Sequence, residues 1–85
     1  GVRFVTESEG CQSNYWLNTL LLERNWEEAM GPILEVTNEA NLMTRPAWTP
    51  MHQLPMFKGC PRMELDTAES LAQRLINIPS SAGLI

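Results

Sequence analysis

The sequence has 85 residues, a formal net charge of −4 and a hydrophobic content of 44%, including three tryptophans. This length predicts a single domain over residues 1–85 that buries only about 60–65% of the surface its unfolded form exposes. The six lysines and arginines are scattered singly, which excludes the basic stripe of a nucleic-acid-binding protein. No apolar run approaches the roughly 20 residues that span a bilayer. Because the apolar residues exceed what a small core needs, we expect an interface with a partner domain or subunit.

The first quarter of the chain predicts two strands. Residues 2–6 alternate apolar and polar side chains, which is typical of a short strand, and the polar residues 7–13 indicate a loop. Residues 14–22 are an almost unbroken apolar run, which predicts a strand buried on both faces in the middle of a sheet. Leucine is a mediocre strand former, so a helix is the competing interpretation for this run.

A helix and a further strand follow. We expect a turn over residues 25–30 and a helix over residues 31–40, because Pro32 is tolerated only in the first helical turn. Asn41 suits the end of this helix, since asparagine tolerates left-handed backbone angles. Residues 42–45 predict a short strand, which completes a strand-helix-strand crossover unit. Four residues spaced i, i+3, i+4 and i+7 share one face of the helix: Met30, Ile33, Leu34 and Thr37.

The next segment, residues 46–61, is apolar but cannot form a long helix or strand. It contains prolines at positions 46, 50, 55 and 61, which interrupt regular structure. Its apolar side chains predict that the loop folds onto another part of the protein. They are Trp48, Met51, Leu54, Met56 and Phe57.

The last helix has the clearest pattern in the sequence. Asp66 followed by Glu69 resembles a capping box, with Asp66 as the N-cap. Residues 76–79 are expected to return as an extended segment. Together these elements predict an α/β (α+β) two-layer small domain with helices on one face of a small sheet. The apolar stripe of the helix consists of Ala68, Leu71, Ala72 and Leu75.

The sequence offers no complete catalytic set. His52, the only histidine, lacks a partner at metal-binding spacing, so no metal site is predicted. Lys58, the only lysine, lies in a turn where it is expected to be solvated. Cys11 and Cys60 are interpreted as two reduced thiols of a cytoplasmic protein, with a disulfide as the alternative. The glutamates are expected on solvated surfaces.

Residues 44–55 combine a guanidinium, an indole and an imidazole, as the wall of a binding site does. Arg45, Trp48 and His52 are the candidate substrate-binding residues. Arg45 could bind a phosphate or carboxylate through paired hydrogen bonds, or pair with a neighbouring glutamate. Packing in the core is the favoured interpretation for Trp48. For His52, a role in a cleft and a structural role stand equally open.

Four motifs occur in a familiar order: Asn-Tyr-Trp-Leu-Asn at 14–18, Thr-Arg-Pro-Ala-Trp at 44–48, Met-His-Gln-Leu-Pro-Met-Phe at 51–57 and Ile-Asn-Ile-Pro-Ser-Ser at 76–81. They resemble the C-terminal part of the DegT-type (DegT/DnrJ/StrS) nucleotide-sugar aminotransferases, which use pyridoxal phosphate. The resemblance is strongest to enzymes of the legionaminic acid, bacillosamine and perosamine type, and it covers nearly the whole chain.

The resemblance implies the small domain of a fold-type I aminotransferase, a homodimer about four times longer than this chain. Such enzymes move an amino group from glutamate to a nucleotide-linked 4-keto-6-deoxy sugar for cell-surface polysaccharides. Their large N-terminal domain supplies the cofactor lysine, so the resemblance implies that this chain alone binds no cofactor and is inactive. It also implies that Arg45 and His52 contact the substrate.

This sequence departs from the family because it begins inside the fold, has no cofactor lysine and stops at Ile85. The alternative function is a free-standing α/β binding or adaptor module. A small standalone enzyme has the least support, since no activated nucleophile or acid–base pair can be named.

Overall fold

Four short strands form one antiparallel sheet in the order β1-β2-β4-β3. The computed structural model describes residues 1–80, so Ser81 of the fourth motif lies outside the described part. The strands are β1 (Val2–Phe4), β2 (Asn18–Leu22), β3 (Arg45–Pro46) and β4 (Leu75–Ile78). Two helices, α1 (Met30–Glu39) and α2 (Asp66–Arg74), complete the two-layer α/β fold that the sequence predicts.

The helices cover one face of this sheet. In the β2–β4 pair Leu20 lies opposite Ile76, and alternation along the strands places Leu22 on the same face. Leu22 and Ile76 are each only 1% exposed, so they form the centre of the core. Pro46, on the same face of β3, lines a pocket with Leu34 of α1. The opposite face of the sheet carries no helix among residues 1–80.

The core is small for the apolar content of the chain. Within the described residues only three apolar residues are buried, and of these Leu22 and Ile76 are fully buried whereas Leu21 is 9% exposed. The accessible surface is 6900 Å², against about 5,100 Å² expected for a globular monomer of this mass. The radius of gyration is 14.7 Å, against about 12 Å expected for this length. All three tryptophans are exposed, so much of the apolar surface of the described residues lies outside the core.

The first helix confirms the prediction to within one residue at each end. A 3-10 helix, Arg24–Ala29, leads into α1, and Pro32 lies in its first turn. The helix ends in a Schellman motif, since Asn41 has a φ of 66° and its N–H donates to the Asn38 carbonyl. The N–H of the following Leu42 donates to the Thr37 carbonyl. The four predicted face residues, Met30, Ile33, Leu34 and Thr37, are all half-buried.

The predicted crossover unit is present, with one strand inserted into it. Strands β2 and β3 both run antiparallel to β4, so they are parallel to each other on either side of it. The strand predicted over residues 42–45 is shorter and later, at Arg45–Pro46. The helix end explains this difference: Asn41 redirects the chain, and residues 42–44 return beside α1 before pairing with β4 begins.

The strand predicted over residues 14–22 begins only at Asn18, and the helical alternative is wrong. Upstream, Tyr15 has a φ of 49°, which no strand accommodates. The hydroxyl of Ser13 and the side-chain oxygen of Asn14 accept hydrogen bonds from the N–H groups of Tyr15 and Trp16, which stabilises turns there. Burial on both faces is also wrong outside Leu21 and Leu22, because residues 18–20 are only half-buried.

The capping box predicted for the last helix is not formed. The N-cap of α2 is Leu65, without a side-chain capping bond, and Asp66 is already the first helical residue. The apolar stripe is partly correct, since Leu71, Ala72 and Leu75 are half-buried but Ala68 is exposed. The helix passes directly into β4, as the expected extended segment at residues 76–79 requires.

A buried arginine joins the last helix to the central strand. Arg74 is 9% exposed, and its Nη1 donates to the Leu22 carbonyl at 2.8 Å. Its Nε is 3.2 Å from the hydroxyl of Ser70 and 3.3 Å from the Ser70 carbonyl. The sequence gives no signal for this role, because arginine at a helix end is usually solvated.

Neither helix in the described range is long and apolar enough to cross a membrane.

Candidate functional site

The loop that carries the candidate residues leaves the edge strand β3 and contains only two single-turn helices. These are the 3-10 helices Met51–Gln53 and Pro55–Phe57. Pro50 is the N-cap of the first and Pro55 is the first residue of the second, positions where the missing proline N–H costs nothing. As predicted, no long regular element forms here. The expectation that the apolar side chains of the loop fold onto another part of the protein is wrong within residues 1–80, because most of them are exposed.

Arg45 is exposed on β3, opposite Asn77 of β4. Its Nη1 donates to the side-chain oxygen of Asn38 at 2.7 Å and to the Thr44 carbonyl at 2.8 Å. No carboxylate among residues 1–80 forms a salt bridge with it. The alternative that Arg45 pairs with a neighbouring glutamate is therefore wrong for the described part of the chain, and the guanidinium keeps its positive charge uncompensated.

Trp48 is 82% exposed, so the interpretation that favours a place in the core is wrong. The physical reason is its position just beyond the edge strand, on the sheet face that no described helix covers. There its indole borders an open groove of about 250 Å³. Side chains from the central strands β2 and β4, from the residue before β2 and from the residue after β3 line this groove with it: Leu17, Thr19, Ala47, Leu75 and Asn77.

His52 is held inside the loop by the last helix. Its side chain is 9% exposed, and Nε2 lies 2.9 Å from Oε1 of Glu69. The Nη1 of Arg62 donates weakly to the His52 carbonyl at 3.4 Å. The carboxylate of Glu69 thus binds His52. A capping box is absent because the N-cap is Leu65, which makes Ala68, not Glu69, the third helical residue. Sequence reasoning missed the pair of His52 and Glu69 because the partners lie 17 positions apart.

Two pockets meet at His52. One, of about 420 Å³, is lined mainly by apolar side chains of the loop and α2, with Arg62 at its edge. The other, of about 480 Å³, is polar and is lined by His52, Gln53, Lys58, Arg62 and Glu69. Trp48 borders the groove on the open sheet face, and Arg45 lines none of these three cavities. Arg45 thus lies on β3 and Trp48 and His52 on the loop that follows it, and the three candidate residues do not share one pocket.

The described residues do not fit pyridoxal phosphate. Lys58 is exposed in a turn, whereas a lysine that attacks a carbonyl needs desolvation or a cationic neighbour to lose its proton. Asp66, the only aspartate, is exposed in the first turn of α2, and the carboxylate of Glu69 is bound to His52.

No group of three or more metal-binding side chains occurs within residues 1–80. Cys11 and Cys60 are both free and exposed, so the disulfide alternative is wrong.

Comparisons with known proteins point in one direction. No family model matches the chain. GDP-perosamine synthase of Vibrio cholerae is 29% identical over 79 residues, which is 92% of this chain and 22% of that protein. EpsN of Bacillus subtilis (strain 168), whose name places it among the pyridoxal phosphate-dependent aminotransferases, is 39% identical over 59 residues. That match covers 67% of this chain and 14% of EpsN.

The fold has a counterpart in a solved structure. Helicobacter pylori PseC, an aminotransferase involved in the biosynthesis of pseudoaminic acid, superposes with a TM-score of 0.71 at 20% identity. The superposition covers 81% of this chain and 19% of that one, so the chain spans about a fifth of the length of its relatives or less. The resemblance to the DegT-type sugar aminotransferases is therefore confirmed, and the chain is related to a small part of such an enzyme.

Proposed function

We propose that the chain is the C-terminal small domain of a pyridoxal phosphate-dependent aminotransferase that acts on a nucleotide-linked 4-keto-6-deoxy sugar, with glutamate as the amino donor. Residues 1–85 form one domain of that enzyme. Its partners are the enzyme's own large N-terminal domain, the second subunit of a homodimer and the nucleotide-sugar substrate. The similarity to GDP-perosamine synthase over 92% of the chain carries this proposal.

The exposed apolar surface supports a domain that is covered by another part of the same enzyme. Large apolar side chains are exposed both just before β2 and in the loop after β3. Trp16, Trp48 and Met56 are all more than two thirds exposed. An apolar surface this large on an isolated domain marks an interface. In the proposed enzyme the large domain and the second subunit cover it.

Within such an enzyme this chain's residues bind and orient the substrate. The exposed indole of Trp48 offers a flat apolar surface beside Leu17 and Leu75, which suits stacking with a base or a sugar ring. Arg45 offers an uncompensated guanidinium for a phosphate or carboxylate. His52, fixed by Glu69, tethers the loop to α2 and contributes one wall of the polar pocket.

The cofactor belongs to the rest of the enzyme. Pyridoxal phosphate, when bound there, carries the amino group between donor and acceptor. Lys58, Asp66 and Glu69 take no part in holding it, because Lys58 and Asp66 are exposed and Glu69 is bound to His52. We also propose a cytoplasmic location, because two exposed free cysteines suit a reducing compartment.

Two proteins test the proposal: the 85-residue chain and the full-length enzyme that contains it. Each is incubated with pyridoxal phosphate, glutamate and a panel of nucleotide-linked 4-keto-6-deoxy sugars, and the amino sugar is detected by mass spectrometry. We expect the amino sugar only with the full-length enzyme. Product formation by the short chain, removed by Lys58→Ala, would contradict the assignment of the cofactor to another domain. The absence of product with every sugar in the full-length enzyme would contradict the function itself.

A free-standing binding or adaptor module is the second candidate, and the same exposed apolar surface favours it. A module that folds alone gives a monomeric peak in size-exclusion chromatography and one cooperative melting transition. A domain missing its neighbours self-associates or melts broadly. The proposed function predicts the second behaviour for the short chain, and a sharp monomeric melt supports the module.

A further inference from the structure

A hydrogen-bonded junction ties the end of α1 to the residue that precedes Arg45. Thr44 is buried, and its hydroxyl lies 2.6 Å from the hydroxyl of Thr37. The side-chain amide nitrogen of Asn38 donates to the Thr44 hydroxyl at 3.1 Å and to the Thr44 carbonyl at 3.2 Å. The Schellman motif at Asn41 makes this junction, because it turns the chain back along the last turn of α1.

The orientation of the Asn38 amide follows from its neighbours. Its nitrogen faces the carbonyl oxygens of Leu34, at 2.7 Å, and Thr44, and both of these only accept hydrogen bonds. Its oxygen therefore faces the guanidinium of Arg45, and it lies 2.7 Å from Nη1. Asn38 is thus fixed by the helix and the returning chain, and only its oxygen is left to act on Arg45.

The contacts of Arg45 leave one edge of its guanidinium open. Both N–H groups of Nη1 are used, one by Asn38 and one by the Thr44 carbonyl. Nε and Nη2 have no hydrogen-bond partner among residues 1–80, and the side chain is exposed. The planar guanidinium presents Nε and Nη2 as a two-pronged edge that matches the two oxygens of a carboxylate or phosphate.

We infer that Asn38 is a positioning residue for Arg45, holding Nη1 so that the Nε–Nη2 edge faces outward to bind an anionic group of the substrate with two hydrogen bonds. The inference rests on the proposed function and adds to it the atoms and the supporting residue. The anionic group is the carboxylate of the amino donor or a phosphate of the nucleotide sugar. Both groups bind the guanidinium through two oxygens. They are distinguished by whether the KM for the amino donor or the KM for the nucleotide sugar depends on Arg45.

The test uses the full-length enzyme and measures KM separately for glutamate and for the nucleotide sugar, together with kcat. We expect Arg45→Ala to raise one of the two KM values by roughly tenfold or more, as the loss of a charge-assisted contact does. Asn38→Ala should raise the same KM about fivefold and leave kcat within about twofold, since the anion contact is weakened equally in the bound substrate and in the transition state. In the Arg45→Ala background, Asn38→Ala should have no further effect on that KM.

Thr37→Val is the matched control, because it removes the hydroxyl contact to Thr44 in the same junction without touching Arg45. It should lower the melting temperature and leave both KM values unchanged. Arg45→Lys keeps the charge but lacks the two-pronged edge, so it should raise the same KM and abolish the effect of Asn38→Ala. This variant serves if Arg45→Ala does not fold.

Each outcome decides between the two claims. If Arg45→Ala raises a KM but Asn38→Ala does not, the positioning role is wrong and the substrate-binding role of Arg45 stands. If Asn38→Ala acts equally with and without Arg45, or Thr37→Val matches it, the effect is structural and the inference falls. If Arg45→Ala and Arg45→Lys leave both KM values unchanged in an active enzyme, the binding role and the inference both fall, while the proposed reaction stands.

Discussion

The buried Arg74 gives a sharp test of how this small core is held together. Its Nη1 donates to the Leu22 carbonyl at 2.8 Å, and its Nε makes two longer contacts to Ser70. No carboxylate within residues 1–80 forms a salt bridge with it. Arg74→Met keeps an apolar stem of similar length and removes the donors. The carbonyl of the fully buried Leu22 then loses its charged partner.

The expected cost follows from these distances. A close hydrogen bond to a charged group contributes about 1.5–3 kcal/mol, and the two Nε contacts at 3.2 Å and 3.3 Å add less. The substitution also removes the cost of keeping the guanidinium away from water, which offsets part of this loss. We therefore expect Arg74→Met to lower the free energy of unfolding by about 2 kcal/mol. It is measured as the shift of the urea midpoint relative to the wild-type 85-residue chain, followed by far-UV circular dichroism at a protein concentration low enough to suppress self-association.

Arg24→Met is the matched control, because Arg24 is exposed in the 3-10 helix before α1. Its effect should stay within about 0.5 kcal/mol. If the two variants unfold at the same urea concentration with the same slope, Arg74 does not join α2 to β2 in the way described. If Arg74→Met is more stable than the wild type, the desolvation cost of the guanidinium outweighs its hydrogen bonds.

Three further changes test the core, the helix end and the missing cap, each by the same denaturation measurement. Ile76→Ala should cost about 2–4 kcal/mol because its side chain is 1% exposed, and the half-buried Ile78→Ala should cost clearly less; equal costs would place the core elsewhere. Asn41→Gly should be neutral or slightly stabilising, whereas Asn41→Val should cost about 1–2 kcal/mol at a φ of 66°; equal effects would contradict the left-handed helix end. Asp66→Ala should cost less than about 0.5 kcal/mol, since Asp66 makes no capping bond. Glu69→Ala should cost about 1 kcal/mol because it removes the partner of His52. A larger cost for Asp66→Ala than for Glu69→Ala would instead support a capping box.

Local rules recovered the elements whose physics is local. The spacing of Met30, Ile33, Leu34 and Thr37 located α1, and the tolerance of asparagine for left-handed angles located its end at Asn41. The prolines after β3 excluded long elements there, because a proline lacks the N–H that regular structure needs. The two-layer fold followed from the order of these elements.

What the sequence could not reveal depends on distant contacts. The pairing of His52 with Glu69 joins a loop to a helix, and no local pattern distinguishes that carboxylate from one at a helix cap. Hydrophobic type alone assigned Trp48 to the core, but hydrophobic residues are also exposed where a partner covers them. The late start of β2 reflects the positive φ of Tyr15, a conformation that aromatic residues rarely adopt.

The order of strands in the sheet also governs how the domain can form. The two central strands pair Thr19 with Asn77, which lie 58 positions apart in the chain. Contacts of such large sequence separation close late and slow the search for the native state. Until β4 has been synthesised, β1 and β2 can form only a two-stranded hairpin, which is marginal in water. Truncation before Leu75 would thus split the sheet through its middle, whereas loss of β1 would remove only an edge.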